Sequence, residues 1–115
     1  MRNEELLIRL TQTQGIAGCE KKVRELIEQE VRPYADELIV DPLGSLIAVK
    51  KGKGGPHSKK IMFAAHMDEI GFMVKKIEED GRLLICNVGW NWTASAYNTR
   101  VVLRNGIYGV VSSMK

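Results

Sequence analysis

At 115 residues the chain has room for one small domain or part of a larger one, since domains run to roughly 100–200 residues. Its 44% hydrophobic and 27% charged residues exclude intrinsic disorder, which needs a chain too poor in apolar groups to offset its conformational entropy. The net charge of +3 comes from one loop, where Lys50, Lys51, Lys53, Lys59 and Lys60 stand among Gly52, Gly54, Gly55 and Pro56. Few aromatics lie near that loop and no recognition-helix or finger pattern follows it, so it reads as a solvated tip and no nucleic-acid partner is expected. No apolar run approaches the roughly 18–20 residues that span a bilayer, so no membrane partner is expected either. Arg2, Glu4, Glu5 and Arg9 make the first ten residues a poor secretory signal, and the expected compartment is cytoplasmic.

In chain order, Asn3 is a helix cap by type, and Leu6, Leu7 and Leu10 follow it at helical spacing. Thr13-Gln14-Gly15 breaks that helix. A second one begins near Cys19 or Glu20 and runs to about Val31, with Val23, Leu26, Ile27 and Val31 as its apolar positions. Glu30 is a polar exception within that stripe, Glu20 sits where the helix dipole favours an acid, and Pro33 ends the element. The pattern then changes to strands. Glu37–Val40 and Ser45–Lys50 flank the turn Asp41-Pro42-Leu43-Gly44. Lys60–Ala65 holds an unbroken apolar run, which predicts a central strand buried on both faces. Ile70–Ile77 and Leu83–Val88 form a hairpin around Glu79-Asp80-Gly81. Thr99–Arg104 and Ile107–Val111 form another around Asn105-Gly106, the strongest short hairpin signal in the chain.

The order is two helices, then strands. A doubly buried strand without a following crossover helix lacks its cover, so the chain reads as an incomplete α/β domain. Cys19 and Cys86 have no CxxC spacing, which argues against a disulfide scaffold and predicts two small hydrophobes in or near the core.

Chemistry centres on Ala65-His66-Met67-Asp68-Glu69, directly after the buried-strand candidate. In an extended segment residues i and i+2 share a side, so His66 and Asp68 project together from the strand's C-terminal end, where open α/β sheets place ligands. A carboxylate beside an imidazole is a common arrangement at metal sites, where it fixes the ring tautomer. The alternative is a His satisfied by a backbone carbonyl and an acid opening a turn. A catalytic zinc needs about three protein ligands, and the chain has two histidines, of which His57 lies in the Lys/Gly loop and reads as solvated. No Walker loop, GxGxxG fingerprint or GxSxG elbow is present. Trp90, Trp92 and Tyr97 are either an aromatic platform or, more simply, packing at a domain corner. The residues alone give a half-site.

Ile61–Val74, IMFAAHMDEIGFMV, resembles the first metal-ligand segment of the tetrahedral (TET) aminopeptidases. That family includes glutamyl and deblocking aminopeptidases and members that carry an endoglucanase label. Gly15–Glu20 with Val23-Arg24 resembles its loop into the second helix, and Asp41–Leu46 its turn and strand. Gly81–Trp90 and Arg100–Val110 resemble the segments leading into its dimerisation domain. The resemblance implies the start of a zinc-exopeptidase-like catalytic domain over residues 1–70 and of an inserted β-rich dimerisation domain over 71–115. It further implies a homo-oligomer and a two-metal (zinc or cobalt) enzyme that hydrolyses N-terminal residues from a peptide substrate. His66 then matches a metal ligand, and Asp68 the catalytic carboxylate that orients and polarises the His66 imidazole. Glu69 is left structural.

Two departures stand out. Trp90-Asn91-Trp92 replaces a usual glycine after Val88-Gly89. The family's bridging aspartate, general-base glutamate and remaining ligands fall beyond the position matching Lys115, so the chain is expected to be an N-terminal portion, inactive alone. Two other readings stay open: a stand-alone β-rich oligomerisation module without catalysis, and a glycoside hydrolase of endoglucanase type. The latter commonly needs two facing carboxylates, where only Asp68 has a motivated position.

Overall fold

Leu6 and Leu10, one helical turn apart, are the half-buried positions of α1 (Arg2–Gln12) in the computed structural model, which describes residues 2–55, 59–90 and 93–112. The helix already contains Asn3, which therefore does not cap it. The hydroxyls of Thr11 and Thr13 donate back to the carbonyls of Leu7 and Arg9 at 3.0 and 2.7 Å and occupy acceptors in the last turn. Helix α2 (Lys21–Val31) has Glu20 at its N-cap without a capping bond to the helix; the Glu20 carboxylate instead accepts from the Gly18 amide at 2.6 Å. Val23, 5% exposed, is the buried residue of α2. The polar exception Glu30 has a use: its Oε1 lies 2.6 Å from Arg9 Nη1 and links α2 to α1. Pro33 sits in the 3₁₀ turn Arg32–Tyr34 that follows, where its missing amide breaks no α-helical bond.

Strands β1 (Glu37–Val40) and β2 (Leu46–Val49) pair antiparallel, with Glu37 opposite Val49 and Val40 opposite Leu46. Asp41 makes the turn, its carboxylate accepting the Ser45 amide at 2.8 Å and its carbonyl the Gly44 amide at 3.0 Å. Gly44 has φ +93°, a conformation that favours glycine. Arg24 of α2 donates to the Gly44 carbonyl at 3.0 Å and ties the hairpin to the helix.

The expected buried strand at Lys60–Ala65 is absent. The segment pairs with no strand among the described residues, and Ile61, Met62 and Phe63 are 79%, 87% and 93% exposed. An apolar run supplies the side chains of a central strand, but its ladder and its burial must come from neighbours, and the β1–β2 hairpin closes on itself.

Strands β3 (Gly71–Ile77) and β4 (Leu83–Val88) form the second antiparallel hairpin, with a bulge between Val74 and Lys76. Asp80 accepts from the Arg82 amide at 3.1 Å and from its guanidinium at 2.7 Å across the turn. Strands β5 (Arg100–Val102) and β6 (Tyr108–Val110) form the third and are shorter than the sequence pattern predicts. Their turn runs from Leu103 to Gly106, and Gly106 takes φ +87° while Asn105 keeps a negative φ. The Asn-Gly pair thus marks a longer turn closed by one left-handed glycine, not a two-residue loop of type I′. A 3₁₀ turn, Thr93–Ala96, precedes β5 and has no counterpart in the sequence pattern.

The chain is a mixed α/β protein of two compact units, Met1–Glu69 and Ile70–Lys115. The first carries both helices and one hairpin, the second the other two hairpins. Cys19 and Cys86 are exposed free thiols rather than core residues. Trp90 is 87% exposed, which corrects the expectation of corner packing, and Trp92 and His57 lie outside the described residues. No helix among the described residues is long and apolar enough to cross a membrane.

Candidate functional site

His66 and Asp68 meet as their spacing suggests. The His66 Nδ1 lies 3.0 Å from the Asp68 carbonyl oxygen and 3.2 Å from its carboxylate Oδ1. A carbonyl only accepts, so Nδ1 carries the proton, and a neutral ring then presents its lone pair at Nε2. Both possibilities raised by the sequence occur in one residue: the ring is satisfied by a backbone carbonyl and by a carboxylate. The imidazole is otherwise open, with 85% of its side chain exposed against 43% for Asp68. The pair can offer one imidazole nitrogen of fixed tautomer to an electrophile. Among the described residues no three or more His, Cys, Asp or Glu side chains gather where they could hold a metal ion.

Glu69 faces the other way. Its carboxylate Oε1 accepts the Gly15 amide at 2.9 Å, and its own amide donates to the Gly15 carbonyl at 2.8 Å. Ile16 and Glu69 form a parallel bridge at the same place. Gly15 is buried against α2, where an added Cβ would stand 2.4 Å from Val23 Cγ2. Glycine is required here by close approach. The pairing spans 54 positions, and nothing local in the sequence points from Glu69 to Gly15.

Lowered carboxyl pKa values lie elsewhere, in turns. The Lys51 amide donates to Asp36 at 2.5 Å and holds its carboxyl below the usual range, with Lys50 at 3.6 Å adding its charge. The Ser45 amide does the same for Asp41, and the Arg82 amide for Asp80. Glu78 likewise belongs to a charged turn, paired with Lys76 at 2.8 Å.

Residues 44–115 match the M42 glutamyl aminopeptidase family. The chain is 47% identical over 107 residues to a protein of Acetivibrio thermocellus that carries an aminopeptidase name, covering 93% of this chain and 31% of that one. It spans about a third of the length of the curated relatives it matches. Among solved structures, the TET aminopeptidase of the marine sediment archaeon Thaumarchaeota archaeon SCGC AB-539-E09 superposes with a TM-score of 0.90 at 34% identity, over 100% of this chain and 32% of that one. An endoglucanase from Thermotoga maritima gives 0.84 at 38% identity, over 92% and 33%. The Pyrococcus horikoshii TET1 peptidase, which can assemble into a tetrahedron or a large octahedral shell, gives 0.79 at 34%, over 96% and 33%. The fold is therefore that of part of a TET aminopeptidase, and the chain belongs to the M42 glutamyl aminopeptidase family.

Proposed function

We propose that the chain is the opening third of a two-metal aminopeptidase that removes N-terminal residues from peptides, and that these 115 residues alone do not turn peptides over. The observation that carries the reading is the His66 ring, with Nδ1 held by Asp68 and Nε2 without a hydrogen bond among the described residues, within the stretch that matches the family. This donor fits one ligand position of a divalent zinc or cobalt ion: a neutral imidazole whose second nitrogen is hydrogen-bonded to a carboxylate is a common ligand geometry. One such donor is short of the three or more that a catalytic site needs. When bound, the metal pair would supply Lewis acidity toward the scissile carbonyl. His66 would hold one ion through Nε2, and Asp68 keeps the proton on Nδ1 and the ring aimed.

Likeness to the self-assembling Pyrococcus horikoshii peptidase supports a homo-oligomer, and we place the protein in the cytoplasm. The likeness to the Thermotoga maritima endoglucanase favours a second reading, glycoside hydrolysis. Against it, the one carboxylate motivated here, Asp68, is engaged with His66 rather than facing another acid across a cleft.

Produced with its downstream coding sequence and supplied with zinc or cobalt, the protein is expected to release N-terminal amino acids from unblocked peptides. His66→Ala should lower that rate at least about 10–100-fold, the loss typical when a metal ligand's support is removed. The 115-residue chain should release nothing above its own His66→Ala control. Metal-dependent release by the short chain overturns its incompleteness, and sugar release from a glucan by the long product without peptide turnover overturns the peptidase reading.

A further inference from the structure

We infer that Glu69 is a positioning residue: by clamping the segment that carries His66 and Asp68 onto Gly15, it sets the orientation in which the His66 ring is presented. The inference rests on the reading of His66 as a ligand and extends it to a neighbour whose carboxylate points away from the ring.

The segment before His66 has no strand partner among the described residues, and its side chains from Ile61 to Phe63 stand almost wholly in solvent. Among the described residues no strand upstream therefore fixes the backbone that leads into the ring. Downstream the situation reverses. Within three residues of His66, Glu69 meets Gly15 through its carboxylate and through its amide, the latter as part of the parallel bridge between Ile16 and Glu69. The partner is itself immobilised, since Gly15 is buried against Val23, the buried residue of α2. The Met67 carbonyl also runs close to Gly15, 3.6 Å from where a Cβ would sit. The connection reads Val23, Gly15, Glu69, and then back along the backbone to the Asp68 carbonyl that holds Nδ1 at 3.0 Å.

The chemistry of the clamp is specific. A buried amide must find an acceptor, and an ionised carboxylate makes the stronger kind of bond to it. Glu69 satisfies both the donor and the acceptor of one peptide position, which fixes rotation as well as distance. Because the Asp68 carbonyl belongs to the peptide whose amide is the Glu69 N–H, turning that peptide at Glu69 moves the acceptor of the His66 proton directly. Glu69→Gln keeps an oxygen for the Gly15 amide, whereas Glu69→Ala removes it and Glu69→Asp draws it back by one methylene.

The test is the nitrogen NMR signature of the His66 ring in the 115-residue chain, at mildly alkaline pH where imidazoles are uncharged. The wild type should show the Nδ1–H form, and Glu69→Gln should match it. Glu69→Ala should average the ring between its tautomers and speed exchange of the Gly15 amide. Glu69→Asp reports the same loss if the alanine variant does not fold. An unchanged ring in a folded Glu69→Ala or Glu69→Asp protein, or a Glu69→Gln ring that averages like the alanine variant's, overturns the proposal. Failure of the aminopeptidase reading shows separately, as absent peptide turnover in the longer product, and leaves this ring signature as it is.

Discussion

Asp41 shows how much one side chain can determine. The Ser45 amide donates to its carboxylate at 2.8 Å and, as the leading cause, holds its pKa below the ordinary 3.8. Asp36 owes the same shift first to the Lys51 amide, and Asp80 to that of Arg82. An acid whose folded pKa is lowered contributes stability that is fully present above its unfolded pKa and is lost as pH falls through the folded one. The melting temperature should therefore fall as pH drops below about 4. Asp41→Asn keeps an acceptor for Ser45 but does not titrate, so its melting temperature should fall less steeply over the same range. Identical acid limbs for wild type and variant, followed by circular dichroism, would refute the assignment. His66 and Asp68 were legible at this scale because an i, i+2 spacing alone brings them within reach. Glu69 and Gly15 were not, because their bond depends on where α2 lies.

At the level of elements, α2 rests on a glycine. With a Cβ at Gly15 meeting Val23 Cγ2 at 2.4 Å, Gly15→Ala overpacks a β-branched side chain that has little freedom to turn away. The expected loss is about 1–3 kcal/mol. In a double-mutant cycle with Val23→Ala the two changes should couple by about 0.5–3 kcal/mol, since the smaller partner makes room for the new methyl. Strict additivity in urea melts would mean that the contact is not what makes glycine necessary. The helices and all three hairpins could be read from sequence because apolar spacing, breakers and turn residues act within a few positions. Asn105-Gly106 signalled its hairpin, yet the turn type depended on the backbone of Leu103 and Arg104 as well. Asn3 misled, since a residue suited to capping can equally sit one place inside the first turn.

For the whole molecule, the main discrepancy between pattern and structure is Lys60–Ala65, whose residues Ile61, Met62 and Phe63 have the composition of a core and the exposure of a surface. Composition states what a segment needs; it does not supply the neighbours. Three adjacent large apolar side chains in solvent, together with sheets that have two strands each among the described residues, favour association between copies. The 115-residue chain should therefore self-associate with rising concentration in light scattering. Phe63→Lys should shift it toward monomer, and a monodisperse wild-type monomer at high concentration would contradict the expectation.

The three hairpins carry a consequence for the order of events during synthesis. Each sheet pairs strands that follow one another directly, so each can close soon after its own residues leave the ribosome, at roughly 5–20 residues per second. Local pairings of this kind form quickly because little chain must be brought together. Ile61–Phe63 lies between two such hairpins and joins neither. It is consequently a stretch on which a chaperone that recognises short apolar segments would act, while the hairpin before it has already had time to close.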